Sequence, residues 1–120
     1  MHKGYLVFEL TCHLPFVKHP EEGKYPEENW LSNAVSDTYL PLLRALNRLD
    51  RDNIPVNLTL VVSPTLSAML TDELLQERYI KFLKNQIALG EKEVARTAGN
   101  PDIRKNAEMY LASYRQDLAD

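Results

Sequence analysis

Tyr5-Leu6-Val7-Phe8-Glu9-Leu10-Thr11-Cys12 and Val56-Asn57-Leu58-Thr59-Leu60-Val61-Val62-Ser63 are the two stretches whose reading decides the fold. Each is rich in β-branched or aromatic residues, and each ends at a proline signal: His13-Leu14-Pro15 after the first, Ser63-Pro64 at the end of the second. These features predict strands over 5–12 and 56–63. Side chains alternate along a strand, so Leu6, Phe8, Leu10 and Cys12 share one face, and Tyr5, Val7, Glu9 and Thr11 share the other. In the second strand Val56, Leu58, Leu60 and Val62 form the apolar face. Asn57, Thr59, Val61 and Ser63 form the more polar one.

Between the strands lies a Pro/Glu/Lys-rich loop over 16–27, then a helical rhythm from about Glu27 to Asp50 carried by Trp30, Leu31, Ala34, Val35, Leu42, Leu43, Leu46 and Leu49. Pro41 predicts a kink or break near Tyr39-Leu40. Arg51-Asp52-Asn53 is a turn. Beyond the second strand, Ser63-Pro64 reads as an N-cap followed by proline at the first helical position, opening a short helix over Thr65–Leu70. A long helix starts at Thr71-Asp72-Glu73 and runs to about Thr97, with Leu75, Tyr79, Phe82, Leu83 and Ile87 as its stripe and Gly90 as a weak point. Asn100-Pro101 caps a last helix with the stripe Ile103, Ala107, Tyr110, Leu111, Tyr114 and Leu118, which reads as core. The order is β-α-β-α-α. Strands separated by a helix pair in parallel through a right-handed crossover. Two strands leave an open edge, which a larger sheet or a second copy of the chain would cover.

The rest of the composition excludes more than it selects. A net charge of -3 with scattered Lys and Arg gives no reason to expect nucleic acid. No apolar run is long enough to cross a membrane, and Tyr5–Phe8 is too short for a secretory signal. The single cysteine, Cys12, allows no intramolecular disulfide, so the cytoplasm is the expected compartment. Cys12 falls on the apolar face and reads as a small buried hydrophobe rather than a nucleophile. No ligand cluster for a metal and no phosphate or dinucleotide loop is present, so no cofactor is expected.

Ligands of parallel α/β folds bind at the carboxyl ends of the strands, here Thr11–Pro15 and Ser63-Pro64. If the first strand continues, Glu9, Thr11 and His13 line one face. A histidine at a strand end serves either as a polar end-cap bonded to a loop or as a ligand-facing group, and the pattern alone favours the former. Glu9 is either solvent-facing or part of a polar interior with Asn57 and Thr59 as partners.

Gly4-Tyr5-Leu6, His13-Leu14-Pro15-Phe16-Val17-Lys18-His19-Pro20, Glu28-Asn29-Trp30-Leu31, Thr38–Leu43, Leu58-Thr59-Leu60, Ser63-Pro64, Leu74–Tyr79 and Glu91–Val94 resemble, in order, the opening of glycoside hydrolase family 57. The resemblance covers nearly the whole chain. It implies that residues 1–120 are the N-terminal β-α-β-α-α part of a helix-rich, distorted (β/α)7 barrel with parallel strands. It implies a retaining enzyme of α-1,4-glucans, foremost a 1,4-α-glucan branching enzyme and alternatively an α-amylase-type hydrolase, with no cofactor. The catalytic Glu and Asp of the family lie beyond the first 120 residues, so the chain alone is expected to be inactive. Its expected partners are α-glucan polysaccharide or oligosaccharide and the remainder of its own barrel. His13 matches a substrate-binding histidine of the family. Thr11 stands where a second histidine is usual, and Glu9 where an apolar residue is usual. A different reading of the same residues is a stand-alone binding or interaction domain that kept the fold's opening without catalysis. A third is a deacetylase-like barrel, which would need a metal cluster that this sequence does not show.

Overall fold

The computed structural model describes residues 1–21 and 23–120; Glu22, within the expected loop, lies outside them. The chain divides into two compact units, Met1–Asp72 and Glu73–Asp120. The order is β1 (Glu9–Cys12), α1 (Glu28–Ala34), a π-helical turn (Val35–Tyr39), α2 (Leu40–Arg51), β2 (Thr59–Val62), α3 (Pro64–Leu70), α4 (Glu73–Arg96) and α5 (Pro101–Ala119). This is the expected helix-rich α/β pattern, with its two strands parallel and joined by a helical crossover.

Both strands are half the predicted length. The ladder runs from Thr59 N–H, which donates to Phe8 C=O at 3.1 Å, to Ser63 N–H, which donates to Cys12 C=O at 3.0 Å. Below it Pro55 has no N–H to offer a partner strand. Tyr5–Val7 precede the ladder, and Tyr5–Phe8 stay exposed. Glu9 is consequently the first residue of β1, not a mid-strand one.

The predicted break at Tyr39-Leu40 takes a milder form. Proline cannot donate to the carbonyl four residues back, and its ring crowds that carbonyl. The helix answers by widening just before Pro41: Leu40 N–H donates to Val35 C=O, five residues back. Such a π turn keeps the helix continuous from Glu28 to Arg51 while shifting its register. α2 then stops in a Schellman motif. Asn53 takes the left-handed conformation (φ 54°), Asn53 N–H donates to Asp50 C=O, and Ile54 N–H donates to Leu49 C=O.

In the first unit Val17, Leu31, Leu66 and Met69 are the buried apolar side chains. The second unit is the α4/α5 hairpin. Leu75, Leu83 and Leu111 are buried, and Phe82 meets Tyr114 edge-on at 6.3 Å. Asn100 caps α5, its side chain accepting from Ile103 N–H. Two expectations are corrected here. The α5 stripe is not all core, since Ile103 and Tyr110 stay at least half exposed. Gly90 is less a weak point than a seat: a Cβ there would lie 3.3 Å from Leu111 Cβ, so its absence lets α5 approach.

Candidate functional site

The tips of β1 and β2 lie side by side and point the same way. The register pairs Glu9 with Thr59, Leu10 with Leu60, Thr11 with Val61 and Cys12 with Val62. Paired residues of a parallel ladder share a face, which makes Glu9/Thr59 and Thr11/Val61 one column and Leu10/Leu60 and Cys12/Val62 the opposite one. The first column continues past the ladder into a side-chain contact, with His13 Nδ1 2.8 Å from Ser63 Oγ. Asn57 does not join it. It precedes β2, is exposed, and by the register would stand opposite Val7 rather than Glu9.

Ser63 ends the second strand and starts the next helix. Its Oγ accepts from Leu66 N–H at 3.2 Å as the α3 N-cap, and Pro64 follows at the first helical position. One hydroxyl thus joins the β1 tip, the β2 tip and α3.

The loop after β1 is fastened to the same helix. Val17 N–H donates to Met69 Sδ at 3.4 Å, and both residues are buried. Lys18 Nζ forms an ion pair with Asp72, both side chains partly screened from solvent. Further along, His19 N–H donates to Glu28 Oε1 at 3.1 Å, and the His19 ring stacks on Tyr25 at 3.8 Å. The loop leaving His13 is therefore ordered from two sides. The part that His19 plays in this has no signal in the sequence pattern.

On the opposite face, Tyr39 of the π turn comes near Cys12. Burial raises the Tyr39 phenol above its ordinary range, and the Cys12 sulfur adds to that rise. Cys12 is partly rather than fully buried. The crossover thus approaches the Cys12 column, and Glu9, Thr11 and His13 form the polar column on the other side.

Chemically, this column offers one imidazole (His13), three hydroxyls (Thr11, Thr59 and Ser63) and one carboxylate (Glu9) on a largely exposed surface. It can hydrogen-bond a polyhydroxylated ligand as donor and acceptor. Among the described residues no three His, Cys, Asp or Glu side chains converge as metal ligands, and no helix is long and apolar enough to cross a membrane. Ser63 is legible in the sequence as a strand end and a helix cap, but not as the partner of His13. The Ser-Pro signal marks it as a helix cap, but its contact with His13 depends on the strand register.

No family model matches the chain. Over 119 residues it is 31% identical to a 1,4-α-glucan branching enzyme of Thermococcus kodakarensis, covering 98% of this chain and 17% of that protein. Among solved structures, an α-amylase from Thermotoga maritima superimposes with a TM-score of 0.87 at 35% identity, over 94% of this chain and 21% of the other. A GH57-type branching enzyme from Pyrococcus horikoshii does so with a TM-score of 0.86 at 25% identity, over 98% of this chain and 22% of the other. The chain spans about a fifth of the length of these proteins or less.

Proposed function

The chain belongs to the glycoside hydrolase family 57 group of branching enzymes and α-amylases, and from that membership we propose that residues 1–120 form one wall of an α-glucan site at the N-terminal end of a distorted (β/α)7 barrel. The observation that carries this is the pair of parallel strand tips closed by the 2.8 Å contact of His13 with Ser63. Tips set apart, or running in opposite directions, could not border one cleft.

In this proposal His13 binds a sugar hydroxyl or ring oxygen, and Thr11 supplies a shorter hydroxyl beside it. Glu9 and Thr59 extend the polar wall away from the tip. The reaction is transfer of an α-1,4-glucan segment with retention, foremost to form a branch. Retention needs a nucleophile and an acid/base placed on either side of the glycosidic bond. None of the acidic residues here sits in a matching motif, so both would come from outside this segment. The likeness to an α-amylase supports a second reading, in which water replaces the sugar acceptor.

The test is a titration of the isotope-labelled chain with maltooligosaccharides at millimolar concentration. Amide and ring signals of Thr11, His13 and Ser63 are expected to shift together, and the shifts are expected to vanish in His13→Ala. Undisturbed signals at these positions would remove the tip from the glucan site. The chain alone is expected to leave amylose unchanged, and a loss of iodine stain or new reducing ends would contradict that.

A further inference from the structure

We propose that Ser63 is a positioning residue for His13, one that holds the imidazole in the form protonated at Nε2 and so presents a hydrogen-bond donor to a sugar oxygen. This rests on the reading of His13 as sugar-facing. A serine hydroxyl has one proton and two lone pairs. One lone pair of Ser63 is occupied, because Oγ accepts the Leu66 N–H at 3.2 Å. Accepting a hydrogen bond polarises a hydroxyl and makes it a better donor. In this proposal the Ser63 proton goes to His13 Nδ1 at 2.8 Å, and the second lone pair of Oγ is left to solvent. A ring nitrogen that accepts carries no proton, so the neutral ring is protonated at Nε2.

Ser63 is well placed for this because it cannot easily move. Its N–H is fixed to Cys12 C=O at 3.0 Å. Its backbone is extended (φ -65°, ψ 148°), the conformation to which the ring of Pro64 restricts it. The hydroxyl is thus locked by the sheet on one side and by α3 on the other. The consequence is directional. Ring and glycosidic oxygens of a sugar only accept hydrogen bonds, and an Nε2–H can meet them where a bare nitrogen could not.

The test reads the tautomer directly. Two-bond nitrogen–proton correlation of the imidazoles at about pH 8 compares His13 with the exposed His2 in the same spectrum. The expected result is a His13 Nδ1 of fully unprotonated character and an Nε2 of fully protonated character, more widely separated than the averaged pair of His2. An averaged or reversed pair at His13 in the wild-type chain overturns the proposal without any variant. Ser63→Ala should collapse the separation towards that of His2 and weaken maltooligosaccharide binding about three- to tenfold, the worth of one neutral hydrogen bond. Ser63→Thr should restore both. A fixed tautomer with no sugar response overturns the role of His13 in glucan binding. An averaged tautomer with binding intact overturns only the role of Ser63.

Discussion

Among single residues, the polar column is legible in the sequence because alternation along a strand is strict: Glu9, Thr11 and His13 have to share a face. The partner across the sheet is not legible, since a one-residue slip in register would set His13 beside a different side chain. His13 is exposed, and its ring meets the Ser63 hydroxyl. His13→Ala should therefore change stability by no more than about 1 kcal/mol, measured by chemical denaturation, while abolishing the sugar response. A variant that fails to fold would mean that the histidine serves the sheet rather than a ligand. Tyr39 offers a separate check of the other face. Burial, with Cys12 adding to it, raises its phenol pKa in the folded chain. The folded state then holds that proton more tightly, so the stability it lends is complete below about pH 10 and is lost as pH climbs through the folded value. Tyr39→Phe should flatten the alkaline fall in stability above about pH 10. Parallel alkaline limbs in urea melts of the two proteins would show that Tyr39 is not held as described.

Among the elements, helices are more legible than strands, and the reason is where their hydrogen bonds close. α3 and α5 begin at cap and proline signals carried in their own sequence, at Ser63-Pro64 and Asn100-Pro101. The strand ends depend on a partner. Tyr5–Phe8 carry the composition of a strand, yet the paired segment opens only at Glu9 opposite Thr59. Pro41 predicts a kink, yet the helix absorbs it in one widened turn, a choice that sequence pattern does not distinguish. Gly90 shows the same limit. Its helix propensity marks it as a defect, because alanine would gain about 1 kcal/mol there. The added Cβ, however, would stand 3.2 Å from Leu111 Cδ1 and 3.3 Å from Leu111 Cβ. The second of these moves only with α5 itself, and overpacking of this kind costs about 1–3 kcal/mol. Gly90→Ala should therefore lower stability by about 1 kcal/mol net, the excess of crowding over propensity, and a bulkier Gly90→Val should lower it more. A thermal midpoint raised by Gly90→Ala would show that α5 yields and that propensity decides.

For the chain as a whole, the exposure of the sheet is foreseeable from topology alone: two parallel strands do not bury two faces. The structure makes the uncovered surface specific. Tyr5, Leu6, Val7 and Phe8 are 95%, 80%, 76% and 61% exposed, and Leu10, Leu60, Val61 and Val62 remain exposed within the strands. Contiguous apolar surface beside an unpaired strand edge is where chains associate. In a barrel, further strands would cover that surface, in keeping with a chain that spans about a fifth of its relatives. Alone in solution, the nearest available cover is another copy. Sedimentation velocity over about a tenfold range of concentration should thus show reversible association, given that an edge of this kind templates pairing. Phe8→Lys with Leu10→Lys places charge on that surface and should shift the distribution towards monomer without altering the helical circular dichroism. If the wild-type chain instead stayed monomeric throughout, the exposed strands would not need a partner. The stand-alone binding domain would then account for the chain better than one wall of a larger barrel.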